Sequence, residues 1–236
     1  MKIKLFILSL LLLLSESVFA GGFQINEHGA KAMAMGGAFT AIANNPSAMY
    51  YNVAGITQLK GFHLMLGTTM IVPEASFRGV APAITEYKMI NQTFFPTYFY
   101  ATYQVNKSLF LGVGFTTPFG LGTKWNSNWI GRYLAIKTNI QTFQINPSIA
   151  YKISDKLSVS GSFVYSFANV TITQKTPQTP FAGDAFVQLT GKDNSAFGYQ
   201  FGILYKPDKK LSFGASFHSQ IKYNFDGTVT LPVLSN

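Results

Sequence analysis

The chain contains no cysteine and has few charged residues for its length. The lack of cysteine excludes disulfides, zinc–thiolate sites and thiol nucleophiles. Charged residues make up 11% of the sequence, compared with about 25% in typical soluble domains. Beyond Ala20, no segment has the roughly 18 consecutive apolar residues of a membrane-spanning helix. Low charge without such a helix leaves two classes, a heavily buried soluble β-protein or a β-barrel in lipid.

The charge that is present is basic, with 18 Lys and Arg against 9 Asp and Glu and a net charge of +9. These basic residues are scattered singly and form no basic tract, so we predict no nucleic-acid partner. Isolated lysines at strand ends suit phosphate-rich headgroups. Membrane headgroups are therefore the predicted surroundings of these lysines.

Residues 1–20 are predicted to be a secretory signal peptide. Lys2 and Lys4 precede an apolar run from Leu5 to Leu14, and the small residue Ala20 ends the segment. An N-terminal membrane anchor is the alternative, but this run is too short to cross about 30 Å of hydrocarbon as a helix. The mature chain is expected to be exported and to begin at Gly21.

Residues 21–59 are predicted to form a hatch, or plug, inside a barrel made by residues 60–236. The segment is rich in Gly, Ala and Met, and its acidic and basic residues are Glu27 and Lys31. It has too little bulk for a core of its own, so another part of the chain must enclose it. Within it, Asn45 and Pro46 predict a turn capped by the asparagine side chain.

The clearest strand signal runs from Leu211 to Asp226. Odd positions are mostly apolar and even positions are mostly polar, which is the period of a strand with one lipid face and one lumenal face. If the strand register shifted by one residue, the polar side chains would face the lipid. This pattern places His218 and Lys222 on the same lumenal face.

Six further segments have extended character, and with Leu211–Asp226 they make seven strands: Phe62–Val72, Phe95–Val105, Leu109–Phe119, Tyr133–Ile153, Leu157–Thr173 and Phe197–Tyr205. Short polar turns alternate with long connections, which are predicted at Pro73–Asn91, Pro118–Arg132 and Gln174–Ala196. This arrangement is typical of an all-β transmembrane antiparallel β-barrel. A soluble lipocalin-like barrel or sandwich is the alternative, but its polar faces should carry many charges, whereas these carry Ser, Thr, Gly and Gln.

Seven is an odd number, whereas bacterial single-chain barrels have an even number of strands. An open edge cannot lie in lipid, because its backbone groups would lack partners. We therefore expect the sequence to be the N-terminal half of a larger barrel. The alternative is an eight-stranded barrel closed by the last ten residues, which Pro232 and the short remaining length disfavour.

Several phrases occur together in a characteristic order: Gly22–Glu27, Asn45–Ala48, Tyr51–Gly55, Pro118–Leu121, Trp129–Tyr133, Asn146–Tyr151 and Phe197–Gly202. From Gly21 to about Thr230, the chain resembles the FadL/TodX-like family of outer-membrane transporters for long-chain fatty acids and aromatic hydrocarbons. The resemblance implies a monomeric barrel of fourteen strands, an even number as in other such barrels, with a lumenal hatch. It implies passive uptake in a Gram-negative outer membrane, with outer-membrane lipid and lipopolysaccharide as partners and with lateral release where the third strand kinks inward.

Residue roles also follow from the resemblance. Phe23 is a candidate contact for the apolar tail of the ligand, with packing against the barrel wall as the alternative. In the third strand, Pro118 lacks a ladder donor and Gly120 permits unusual dihedral angles, so pairing should break there. The break is interpreted either as a gate or as an ordinary strand end.

Two positions depart from the family pattern. Val53 replaces a proline in the second hatch phrase, and His218 stands where fatty-acid members tend to carry arginine. Histidine is mostly neutral at neutral pH, so Lys222 is the second candidate for binding a carboxylate, unless it is only a solvated lumenal lysine. Fatty acids and uncharged hydrocarbons both stay open as ligands.

Other chemistry finds little support. His28, His63 and His218 lack metal-ligand spacing, and neither a Gly-x-Ser-x-Gly elbow nor a phosphate loop occurs. The sequence therefore predicts a transporter without metal or cofactor rather than an enzyme. A general porin for polar solutes is one alternative, and a lipid acyl hydrolase using His218 and a neighbouring serine is another.

Overall fold

The computed structural model describes residues 24–82, 84–178 and 183–231. The predicted signal peptide and Phe23 lie outside these ranges. The helices are α1 (Ala30–Ala34), α2 (Ala48–Tyr51) and a 3-10 helix over Val53–Gln58. The strands are β1 (Phe62–Thr68), β2 (Ser76–Arg78), β3 (Glu86–Lys88), β4 (Thr97–Gln104), β5 (Leu109–Thr116), β6 (Gly120–Lys124), β7 (Lys137–Lys152), β8 (Leu157–Pro177), β9 (Asp184–Tyr205), β10 (Phe213–His218) and β11 (Asp226–Thr230). Within the described ranges, no helix has both the length and the apolar character needed to span a membrane.

Nine strands form one sheet in the order β1-β4-β5-β7-β8-β9-β10, with β6 also paired to β7 and β11 also paired to β9. Every pairing is antiparallel. Since β5 and β6 share one neighbour, and β10 and β11 share another, the sheet has seven strand positions. The barrel wall of seven antiparallel strands that the sequence predicts is therefore confirmed, as an open partial barrel.

The predicted lipid face is also confirmed. On β9, alternate residues from Phe197 to Tyr205 are 43–68% exposed, whereas the intervening Gln200 and Leu204 are buried. Exposed apolar side chains continue this band across the sheet: Phe62, Leu64, Leu66, Leu111, Val113, Ile145, Ile149, Phe163, Phe213 and Phe217. Buried polar side chains occupy the opposite, lumenal face, among them Thr102, Ser148, Ser162 and Gln200.

Several predicted boundaries are wrong. The connection expected over Gln174–Ala196 is largely strand, since β8 continues to Pro177 and β9 begins at Asp184. These extensions lie beyond the apolar band, where outward positions no longer need apolar residues, so the alternation fades. The connection expected over Pro118–Arg132 contains β6, and Pro73–Asn91 contains the β2–β3 hairpin.

The single strand expected over Leu211–Asp226 is wrong as well. Within this range the strand residues are those of β10 and Asp226, the first residue of β11, and residues 219–225 lie between the two strands. The cause lies in β9, where Ser166 opposes Ala196 but Ala168 opposes Asp193, so β9 carries one extra residue. Such a bulge exchanges the faces to which odd and even residues point.

β10 and β11 pair with β9 on either side of this bulge without a change of register. Even-numbered residues face the lumen on β10, but odd-numbered ones do so beyond His218. Ile221, Tyr223 and Phe225 accordingly line the lumenal cavity, and Lys222 is exposed and does not. The expectation that Lys222 shares the lumenal register of His218 is therefore wrong.

Candidate functional site

Residues 24–59, here called the hatch, pack against the lumenal face of the wall. One apolar cluster joins the two parts: Ala43, Ala48, Met49, Val53, Ile56 and Leu59 of the hatch contact Tyr98, Tyr100, Phe110 and Ala150 of the wall. The hatch thus obtains from the wall the core that its own composition cannot supply.

Polar contacts fix the hatch in register with the wall. Asn52 Nδ2 donates to the carbonyl oxygens of Thr40 and Ile203, both at 2.9 Å, which ties two hatch segments to β9. Thr57 Oγ1 and Ser158 Oγ are hydrogen-bonded at 2.8 Å. A Cβ atom at Gly214 would lie 2.3 Å from the Thr40 carbonyl oxygen, so glycine is what allows the hatch backbone to reach β10.

The turn at Asn45 and Pro46 has the geometry that its sequence predicts. Asn45 Oδ1 accepts hydrogen bonds from Ser47 N at 2.9 Å and Ser47 Oγ at 2.7 Å. Val53 is the first residue of the 3-10 helix, a position where an N–H has no intrahelical partner and proline is tolerated but not required. The role of Asn45 and Pro46 in hatch movement stays a prediction.

Residues 24–29 are the first part of the hatch and are here called the arm. They connect the rest of the hatch to the third strand position of the wall. Ile25 N donates to the Pro118 carbonyl oxygen at 2.7 Å, and Gln24 forms an isolated antiparallel bridge with Phe119. Tyr50 Oη donates to the Ile25 carbonyl oxygen at 3.2 Å, and Tyr51 donates to that of Asn26 at 2.6 Å. The arm is therefore held by the hatch tyrosines on one side and by the wall on the other.

His28 is the buried histidine of the arm. It is 1% exposed and stacks on Tyr50 at a centroid distance of 3.9 Å, with Tyr98 edge-on at 5.7 Å. Neither ring nitrogen has a hydrogen-bond partner among the described residues. Burial lowers the pKa of His28 from its ordinary 6.5 to about 4, so the ring is neutral at neutral pH.

The wall is interrupted next to the arm. β5 ends at Thr116, opposite Gln144, and β6 begins at Gly120, opposite Gln141. Residues 117–119 therefore lie opposite only two residues, 142 and 143. Pro118, which has no N–H, is the central one of the three. Pairing between β5 and β4 stops at Phe115 and does not resume along β6. This loss of pairing occurs where the sequence predicts it.

A cavity of about 310 Å³ occupies the gap left by this interruption and is here called the window. It lies between residues 94–96, which precede β4, and residues 117–123. The ring of Phe94 crosses the gap, because a Cβ atom at Gly122 would lie 2.0 Å from it. Sequence reasoning missed Phe94, since nothing local marks which aromatic residue packs across a gap.

A larger cavity of about 1390 Å³ lies between the hatch and the lumenal face of the wall. Phe119, Ile140 and Thr142 line both this lumenal cavity and the window. Gln24 faces the lumenal side and Ile25 faces the window side. The arm and the interrupted strand thus form a thin partition between the two cavities.

The structure brings together some of the predicted site residues and separates others. Pro118 and Gly120 meet the arm at the partition, and Gly120 approaches Ile25 Cδ1 closely. His218 lines the lumenal cavity, with Nε2 2.9 Å from Ser216 Oγ, whereas Lys222 lies outside it. No group of three or more His, Asp or Glu residues suited to a metal occurs in the described part of the chain.

A partial transmembrane barrel of antiparallel strands with a lumenal hatch defines a class of outer-membrane proteins. The family described as outer membrane protein transport protein (OMPP1/FadL/TodX) matches residues 11–234. The chain belongs to this family, whose members are outer-membrane transport proteins of Gram-negative bacteria rather than enzymes.

Similar proteins agree with this assignment. The long-chain fatty acid transport protein of Salmonella typhi is 25% identical, over 95% of this chain and 56% of that protein. A protein of the same description from Escherichia coli O6:H1 is 26% identical, over 91% of this chain and 54% of its own length. The chain thus spans about half the length of the curated relatives it matches.

Solved structures show the same fold. A Pseudomonas aeruginosa FadL homologue superposes with a TM-score of 0.73 at 17% identity, over 89% of this chain and 55% of that one. A TodX mutant described as a monoaromatic hydrocarbon channel gives 0.70 at 14% identity, over 86% and 60% of the two chains.

Proposed function

We propose that the protein takes part in passive uptake of hydrophobic molecules across the outer membrane, with lateral release through the window. The observation that carries the proposal is the shared lining of the lumenal cavity and the window at Phe119, Ile140 and Thr142. A molecule in the lumenal cavity is separated from the wall opening by the arm and the interrupted strand alone. The lipid beyond the wall is the favoured destination of an apolar molecule.

The contacts of the arm supply a release mechanism. Gln24, Tyr50 and Tyr51 line the lumenal cavity, and these residues make the hydrogen bonds that hold the arm. A ligand that packs against the tyrosines competes with these bonds. Loss of the arm from Pro118 would then open the partition. Pro118, Gly120, Asn45 and Pro46 act in this proposal as gate and hatch residues.

The proposed ligands are hydrophobic, and the proposal does not choose between the two ligand types that the relatives' descriptions name. Curated relatives are described as long-chain fatty acid transport proteins, and two structural relatives as monoaromatic hydrocarbon channels. Phe23 and His218 are proposed ligand contacts. Lys222 lies outside the lumenal cavity. It would therefore contact a ligand only if the path of the ligand also ran outside that cavity.

The proposed surroundings include lipopolysaccharide. Lys124 and Lys137 are directly opposed partners on β6 and β7, at the end of the wall remote from the short turns. Like charges in this arrangement repel each other unless an anion lies between them. Phosphate groups of the outer leaflet would supply that anion.

The window is tested by filling it. Gly120→Phe adds an aromatic ring beside Ile25, and Gly161→Phe adds the same ring to the outer side of β8, where the nearest atoms are 3.7 Å away. Transfer of a radiolabelled hydrophobic molecule by the full chain in lipid vesicles should fall about tenfold or more for Gly120→Phe, if the blocked path costs above about 1.4 kcal/mol. The Gly161→Phe control should transfer normally. Equal transfer by both variants would contradict release through the window.

A further inference from the structure

The lumenal cavity has a compact polar end beside β9 and β10. Gln200 and His218 are direct partners across this ladder, and His218 Nε2 lies 2.9 Å from Ser216 Oγ. Gln200 is 8% exposed, and no hydrogen bond joins its amide to another described side chain. An amide, a hydroxyl and an imidazole therefore face the cavity together and offer both donors and acceptors.

Apolar side chains continue from this polar end towards the outer end of the wall. Val164, Val170 and Ile172 on β8 line the cavity, as do Ile221 and Phe225 between β10 and β11. Val164 and Ile172 are eight residues apart, which is about 26 Å along a strand. Tyr223 and Gln144 also lie within this zone, and the Tyr223 hydroxyl is bonded to Ser166 Oγ at 2.6 Å.

The charges around the cavity disfavour an anionic head group. Glu27 is the acidic residue of the lining, and no lysine or arginine of the described ranges lines it. Lys31 donates to Asn44 and Lys206 donates to Gln58, both within or against the hatch. A carboxylate at the polar end would lose its hydration without gaining a cation, which is costly, whereas a hydroxyl or carbonyl would only need hydrogen bonds.

We infer that the cavity binds a long apolar molecule with one uncharged, hydrogen-bonding head group, of which a long-chain primary alcohol is the simplest example. The head lies among Gln200, Ser216 and His218, and the tail follows Val164 towards Ile172. This inference rests on the uptake function proposed above and narrows its ligand class.

Binding of decanol, decanoate and decane to the full chain in lipid nanodiscs tests the inference, with empty nanodiscs as the partition control. Equilibrium dialysis of the radiolabelled compounds at about pH 8, where histidine is neutral, should show decanol bound about tenfold tighter than decanoate or decane. Gln200→Leu should reduce the affinity for decanol to that for decane. His218→Arg should raise the affinity for decanoate. The control Phe213→Leu, on the lipid face of the same strand, should change neither.

Two results would overturn the inference while leaving the uptake function standing. One is decanoate binding as tightly as decanol, and the other is unchanged decanol binding in Gln200→Leu. Absence of specific binding for all three compounds would overturn both the head-group inference and the proposed function.

Discussion

The wall is interrupted twice, at residues 117–119 between β5 and β6 and at residues 219–225 between β10 and β11, and the two interruptions have different causes. The first is caused by the residues at the interruption itself, because Pro118 removes a ladder donor and Gly120 follows it. The second contains no proline or glycine and alternates regularly. Its cause lies in the neighbouring strand, where the β9 bulge exchanges the lumenal and lipid faces.

The contacts at the two interruptions differ in the same way. At the first, the wall is held by the arm and by Thr142, whose hydroxyl accepts from Phe119 N at 3.0 Å. At the second, Asp193 in the bulge accepts from Ser195 N at 2.8 Å and from Asn224 N at 2.6 Å. The first is closed by the arm, which we propose leaves the wall, whereas the second is anchored by a buried carboxylate of the wall itself.

The largest effect is expected from Asp193→Ala. Asp193 is 5% exposed, and its loss leaves backbone donors of Ser195 and Asn224 without their acceptor. The free energy of unfolding should fall by about 3 kcal/mol or more. Urea unfolding of the full chain in detergent measures it.

Asp155→Ala is the matched control, since Asp155 lies in a turn, its side chain is 96% exposed and it pairs with Lys152. It should cost much less than Asp193→Ala, because water screens an exposed ion pair. Equal losses in the two variants would show that Asp193 does not anchor the second interruption.

The features that could be predicted from the sequence divide in the same way, into those with a local cause and those whose cause lies elsewhere in the chain. The seven strand positions, the lipid face and the break at Pro118 are local patterns of alternation, proline and glycine. The face change after His218 depends on an extra residue in β9, and Asn194 and Ser195 carry no signal of it. The partition could not be predicted in detail either, because its contacts join Gln24 to Phe119, which are distant in sequence.

An intermediate effect on stability is expected when acid protonates His28 in the arm. The pKa of His28 is lowered to about 4 in the folded protein, against 6.5 ordinarily. Between these values the unfolded hatch binds more protons, so stability is lost as pH falls through this range, by on the order of 3 kcal/mol in total. The rings of Tyr50 and Tyr98 face His28, and Glu27 precedes it in the chain.

His28→Phe keeps an aromatic ring against Tyr50 and removes the titration. Hydrogen exchange of the hatch, compared with that of β8 at each pH, should rise on acidification in the natural chain but not in the variant. The same acid response in both would assign it to another group.

A smaller effect is expected from Thr142→Val, which removes the hydroxyl that holds Phe119 at the first interruption. The free energy of unfolding should fall by about 1–2 kcal/mol, since one backbone N–H loses its acceptor. Thr171→Val on β8, a half-buried position in the same sheet, is the control in the same urea measurement. If Thr142→Val is no more destabilising than Thr171→Val, the hydroxyl does not secure the partition.

Movement of the arm away from the first interruption is the central claim, and a reversible cross-link tests it most directly. Gln24 and Phe119 are bridge partners, so cysteines at both positions have the spacing of a disulfide, and the chain has no other cysteine. Cysteines at the directly opposed Leu64 and Ala101 give a matched disulfide within the wall. Transfer of a hydrophobic molecule by the full chain should be lost when the Gln24→Cys, Phe119→Cys pair is oxidised and return on reduction, while the control pair transfers equally in both states. Undiminished transfer by the oxidised Gln24→Cys, Phe119→Cys variant would contradict the account.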